Sequence, residues 1–263
     1  MLGPQIYSAA DGGAIGRVEA PAESQIRVIL LDIEGTTTPA DFVYKTLFPY
    51  AERKLETFLQ EHFREPEIER LVDDLRSQYD RDVREGLQPP AWVGQADAAV
   101  RSAVEYGRWL MARDSKCTAL KVLQGKIWQE GYARGELRGE VYADVPAAFA
   151  RWRIEGRIIA IYSSGSELAQ RLLFGTVLSG DLTPHIARYF DTRVGAKAEA
   201  ESYRKIANEL GYAPGEFLFV SDVVKEIEAA AAAGMQVRLC VREAGASAST
   251  SRYPVIHSFA QLP

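Results

Sequence analysis

The sequence predicts an α/β protein: a parallel sheet with helices on both faces and an all-helical segment inserted after the first strand. Three observations carry this reading. Val28-Ile29-Leu30-Leu31 is a continuous apolar run, not an alternating one, as a strand buried on both faces requires. The hundred residues after it carry helical periodicity and no convincing strand. From about Asp144 onward, strand-like and helix-like segments alternate in the manner of βαβ units.

Taken in order, residues 1–24 are rich in Ala, Gly and Pro without a charged start and apolar block, so a loose tail is expected, not a signal peptide. The first strand ends at Asp32. Segments 44–63, 67–85, 96–113 and 118–134 place apolar residues three and four apart, the spacing of one helix face, and Pro66, Pro89-Pro90 and Gly135 punctuate them. Beyond them, helix 145–155 leads to strand 157–162, and helix 167–178 to a short strand at 189–191. Helix 199–210 precedes strand 217–220, and helix 225–233 precedes strand 236–241. The expected division is a tail at 1–24, an α/β core at 25–39 and 141–263, and a helical cap at 40–140.

Composition excludes several classes. With 263 residues, 47% hydrophobic and 25% charged, the chain is an ordinary globular mixture and can bury a real core. Its 31 Lys+Arg against 36 Asp+Glu leave a net charge of −5, which weighs against nucleic-acid or anionic-membrane partners. No apolar stretch approaches the roughly 20 residues of a membrane helix. Cys117 and Cys240 form no CxxC pair, and His62, His185 and His257 have no zinc-ligand spacing. A reducing, cytoplasmic monomer is expected, with the nucleus open to a eukaryotic copy.

Ligands of open parallel sheets bind at the carboxyl ends of strands. The polar residues predicted there are Asp32 and Glu34 after the first strand, Ser163 and Ser164 after the second, and Ser221 and Asp222 after a later one. Lys197 lies in the loop between. This set suits phosphoryl transfer to a carboxylate: Asp32 as nucleophile, with Ser163, Ser164 and Lys197 meeting the charge on the phosphate oxygens. Ser163, directly after the strand, is the better phosphate donor, with Ser164 beside it. Carboxylates at Asp32 and Asp222 suit Mg²⁺, a hard ion. Glu34 is placed to protonate the leaving oxygen and then deprotonate water. Gly35 permits a tight bend that brings both acids to one mouth.

The run DIEGTTTP at 32–39 resembles the first motif of the haloacid-dehalogenase-like (HAD) phosphatases, and Ser163, Lys197 and Asp222 fall where that superfamily's later motifs belong. The likeness is closer to one branch, the enolase-phosphatases (acireductone synthases) of methionine salvage. IYSSGS at 161–166, ESYRKIA at 201–207, SDV with KE at 221–226 and LQGKIWQEGYARGEL at 123–137 carry it, over roughly residues 27–242. Most of the superfamily has Asp-x-Asp where this chain has Asp32-Ile33-Glu34, and the glutamate is the branch's own pattern. The resemblance implies a Rossmann-like HAD core with a helical cap and Mg²⁺ held at Asp32, Glu34 and Asp222, Glu34 by side chain or main-chain carbonyl. The implied substrate is a small phosphate ester, 2,3-diketo-5-methylthiopentyl-1-phosphate, enolised by loss of a proton from the phosphate-bearing carbon and then dephosphorylated to an acireductone. The enolising base is open between Glu34 and a cap residue.

Plainer readings exist for each residue. Asp32 alone could close a turn, Lys197 alone could be a solvated lysine, and Ser166 reads as the cap of the helix that follows it. Glu226 is placed in an outer or structural role. Trp92, Trp109, Trp128 and Tyr132 are expected mostly in the core of the helical segment, with one or two facing the methylthio tail. The rival functions are another capped phosphatase of the same fold, a metal-free dehalogenase, for which Asp222 would have no use, and a silent binding module, which would have lost Asp32, Lys197 or Asp222.

Overall fold

A computed structural model describes residues 25–93, 96–113, 115–242 and 252–263; the expected tail over 1–24 lies outside the described residues. Six parallel strands, β1 (Val28–Leu31), β2 (Ile158–Tyr162), β3 (Ile186–Phe190), β4 (Phe217–Ser221), β5 (Gln236–Cys240) and β6 (Val255–Ile256), form one sheet in the order β3-β2-β1-β4-β5-β6. β1 is central, paired to β2 on one side and β4 on the other. Its four residues are fully buried, each contributing about 1.5–3 kcal/mol by leaving water. Alternate side chains go to opposite faces. Ile29 and Leu31 join Ile159, Ile161, Leu218 and Val220 in one apolar cluster, and Val28 and Leu30 join Ala160, Tyr162, Phe217 and Phe219 in the other.

Between β1 and β2 the described chain is helical: α1 (Ala40–Phe42), a π-helical turn at Val43–Leu47, α2 (Phe48–His62), α3 (Pro66–Arg84), α4 (Ala96–Ala112), α5 (Thr118–Ala133) and α6 (Val145–Ile154). α7 (Glu167–Gly175), α8 (Ala200–Leu210) and α9 (Val224–Ala232) follow the later strands. α6 and α7 bury Phe149, Trp152 and Phe174 on the first face; α8 and α9 bury Tyr203, Ile206, Ile227 and Ala230 on the second. The first cluster runs on without a break into Leu55, Leu120, Leu123 and Ile127, so α2 and α5 share a core with that face of the sheet.

Three elements depart from the sequence reading. β3 begins at Ile186, before the expected 189–191, because it is an edge strand whose Ala187 and Arg188 are exposed and blur the pattern. β6 was not foreseen; two residues are too few for any periodicity. α7 stops at Gly175, where the expected helix runs to 178.

Candidate active site

The strand order reverses between β1 and β4, and the crevice at such a switch point is where ligands enter open α/β sheets. Asp32 follows β1 and Asp222 follows β4, so the two acids meet across it. Asp32 is 4% exposed. Its Oδ1 accepts from the Ile33 N–H at 2.7 Å and from Lys197 Nζ at 2.5 Å. Lys197 Nζ also lies 2.7 Å from Glu226 Oε2. The loop that delivers the lysine is pinned by two hydroxyls: Tyr203 donates to Lys197 O at 2.7 Å and Tyr162 to Gly195 O at 2.9 Å.

Ser221 Oγ lies 2.9 Å from Glu226 Oε2 and 3.2 Å from Asp32 Oδ2. A hydroxyl has one proton, and the shorter contact takes it, which leaves Asp32 Oδ2 the less encumbered oxygen. Asp222 is fixed through its N–H, which donates to Thr36 Oγ1 at 3.1 Å. Gly35, at φ +70°, passes beneath it. Arg242 holds the same loop from behind, donating from Nε and Nη2 to Thr36 O at 2.9 and 2.7 Å while its Nη1 pairs with Asp144 Oδ2 at 2.7 Å.

Four carboxylates, Asp32, Glu34, Asp222 and Glu226, therefore crowd around the Lys197 ammonium. Burial, and next the Asp32 charge, push Asp222 up to about 7. The same two causes raise Glu34 and Glu226 above the ordinary carboxyl range, against the pull of Lys197. Burial draws the Lys197 ammonium down most strongly, yet Asp32 and Glu226 together outweigh it and hold the group above its usual value. Such a surplus of buried negative charge is a setting for a divalent cation.

Two adjoining spaces lie beside these groups. A polar recess of about 170 Å³ is lined by Asp32, Glu34, Ser164, Lys197, Asp222 and Glu226. A mostly apolar cavity of about 400 Å³ lies between the helical segment and the 163–166 loop; Leu47, Phe48, Met111, Leu120 and Trp128 wall it. Glu34, Tyr44 and Ser164 border both. The structure thus brings Asp32, Glu34, Ser164, Lys197 and Asp222 together. Ser163 stands one step aside: it lines the larger cavity, its N–H donates to Phe190 O and its Oγ accepts from Gly165 N–H at 3.1 Å. The better-presented hydroxyl of the recess is that of Ser164, where the sequence favoured Ser163. Ser166 caps α7, accepting from Ala169 N–H at 3.3 Å. Of the four aromatics singled out, Trp128 lines the cavity, whereas Trp92 and Trp109 pack with Tyr79 and Tyr106.

Sequence reasoning missed Thr36 and Arg242. Their contacts run through a backbone carbonyl and across 206 positions of chain, which no local spacing signals. Elsewhere, Glu61, His62 and Glu130 lie close enough to share a cation, but on α2 and α5. Both His62 nitrogens already face carboxylates, Glu65 at 2.6 Å and Glu130 at 2.7 Å.

An aspartate buried at the switch point, gripped by a lysine and flanked by a second acid from β4, is the arrangement of a HAD-like hydrolase. Residues 26–234 match the haloacid dehalogenase-like hydrolase family, and the chain belongs to it. More narrowly, it is 50% identical over 242 residues to enolase-phosphatase E1 of Synechococcus elongatus, covering 92% of this chain and all of that one. It is 45% identical over 228 residues to enolase-phosphatase E1 of Drosophila melanogaster, covering 86% and 87%. Among solved structures it resembles the UTR4 protein of Saccharomyces cerevisiae, with a TM-score of 0.74 at 32% identity over 90% of this chain and all of that one. CbbY from Rhodobacter sphaeroides, at 17% identity and a TM-score of 0.51, shares the fold.

Proposed function

We propose that this chain is an Mg²⁺-dependent enolase-phosphatase of methionine salvage, acting on 2,3-diketo-5-methylthiopentyl-1-phosphate. The observation that carries the reading is the joining of two unlike spaces at Glu34: a charged recess sized for a phosphate and an apolar cavity sized for a short aliphatic tail. In this reading the cap is residues 40–140 and the core 25–39 with 141–263, and the enzyme works as a cytoplasmic monomer. No described helix is long and apolar enough to cross a membrane.

The residues of the recess fit a divalent cation: Asp32 and Asp222 offer carboxylate oxygens, Glu34 a carboxylate or carbonyl oxygen, and their mutual crowding is relieved by positive charge. When bound, Mg²⁺ supplies charge neutralisation at the phosphate oxygens. The chain's own groups do the rest. Glu34, bordering both spaces, takes a proton from the phosphate-bearing carbon, and Lys197 stabilises negative charge as it develops. Asp32 Oδ2 attacks phosphorus to form an aspartyl phosphate, while Ser163 and Ser164 donate to the phosphate oxygens. The proton held by Glu34 then passes to the leaving oxygen, and the restored carboxylate activates the water that hydrolyses the intermediate. Burial suits Glu34 to this, because a raised carboxyl is a better proton carrier near neutrality.

Incubation with the diketo phosphate ester and Mg²⁺ tests the proposal. The expected product is acireductone with an equivalent of inorganic phosphate; phosphate released without any acireductone points to another capped phosphatase.

A further inference from the structure

The wall of the larger cavity holds a polar group that the proposed chemistry does not use. Gln124 on α5 is 6% exposed and lines the cavity. Among the described residues its amide has no hydrogen-bond partner, and neither amide atom is sealed away from the open space. Leu120 and Trp128, four residues to either side and so on the same helix face, line the same cavity and are apolar. A leucine would complete that wall, whereas a buried amide without a partner lowers stability unless an occupant of the cavity pairs with it. Ser166 and Gln170, close by in the wall, are already paired. Ser166 caps α7, and Gln170 Nε2 donates to Gly165 O and Phe190 O at 2.9 and 2.8 Å. Its Oε1 also lacks a partner but is closed off. Tyr44 and Lys116 have partners of their own.

Gln124 sits where α5 passes the loop that follows β2. A Cβ on the next residue, Gly125, would lie 3.8 Å from Ser166 Oγ, two residues along from Ser164, which borders both spaces. We infer that Gln124 is a specificity-determining residue that reads the oxygenated carbons next to the phosphate. Its Nε2 donates to a ketone oxygen and, once Glu34 has taken the proton, to the enolate oxygen that replaces it. A saturated phosphate ester offers neither group, and a site with an unpaired buried amide disfavours it. This rests on the proposed function and adds the contact that selects an oxo substrate.

The test compares two probes of equal chain length, a 2-oxoalkyl phosphate and the saturated alkyl phosphate, with the Mg²⁺-loaded enzyme and its Gln124→Leu and Gln124→Met variants. The ratio of kcat/KM values, oxo over alkyl, is expected to fall about ten-fold in both variants, mainly through KM, the loss of one neutral hydrogen bond. Melting temperature is expected to hold or rise, since the unpaired amide is gone. A ratio unchanged within two-fold overturns the inference. So does an equal loss on both probes with a lowered melting temperature, the mark of a structural amide. Wild-type protein that makes no acireductone from the diketo ester defeats the proposed function, yet leaves this ratio to decide Gln124 on its own.

Discussion

At Gly35 the backbone holds φ +70°, and a Cβ added there would lie 2.1 Å from Asp222 Oδ2. Backbone conformation and space both demand glycine, and both serve to bring the acid of β4 against the loop of β1. Gly35→Ala is therefore expected to cost about 1–2 kcal/mol in the left-handed conformation alone and to displace Asp222. Turnover should fall at least about ten-fold, with a weaker Mg²⁺ dependence in steady-state titration; near-wild-type values of both would remove the close approach from the site's design. Much at this scale was legible beforehand. Asp32, Glu34, Ser164 and Asp222 were read from their places after strands, because a parallel sheet puts all strand ends on one rim, and Lys197 from its loop ahead of the 201–207 helix. Thr36 and Gln124 were not, since a threonine among three and a glutamine on an apolar helix face look ordinary until the loop and cavity exist.

The elements that hold the site are tied by Arg242, which joins the end of β5 to Thr36 O and to Asp144 ahead of α6. Burial would raise the Asp144 carboxyl, but hydrogen bonds from Arg242, Ser258 and the Phe259 N–H hold it below the ordinary range. A depressed folded-state carboxyl contributes stability that is present above its unfolded pKa and is lost as pH falls through the folded one. Arg242→Met should destabilise the protein by about 3 kcal/mol near neutrality, because it leaves a partly buried carboxylate short of its cation. Urea denaturation across pH should show that deficit shrinking toward low pH, where Asp144 is protonated in either protein; a deficit constant with pH would assign the loss to packing. The π-helical turn at Val43–Leu47 is a second device of this kind. Its widened backbone places Val43, Tyr44 and Leu47 on the cavity, and Trp128 Nε1 donates to Leu47 O at 2.8 Å. The helical period of 44–63 was evident in the sequence; the extra residue in its first turn was not, since one wide turn barely disturbs a stripe of apolar residues.

For the whole molecule, a sheet and a helical segment that share one apolar cluster enclose a site overloaded with carboxylates. Any cation that binds only the folded state then stabilises all of it by mass action. Mg²⁺ at about 100 times its dissociation constant should contribute about 2.7 kcal/mol, a rise of about 5–10 °C in melting temperature for a chain of this size. Asp222→Ala should abolish most of that rise. An equal shift in the variant would place the cation elsewhere, for instance on the Glu61, His62 and Glu130 group.

Asp32 is expected to carry the phosphoryl group during turnover. Rapid acid quench of the enzyme during turnover of the diketo ester, followed by borohydride reduction, converts an aspartyl phosphate to homoserine, and peptide mass spectrometry locates it. Homoserine is expected at position 32, and Asp32→Asn, which cannot form the intermediate, should lose at least about 10³-fold in kcat. Phosphate release at full rate with residue 32 unmodified in every quenched sample would contradict the assignment.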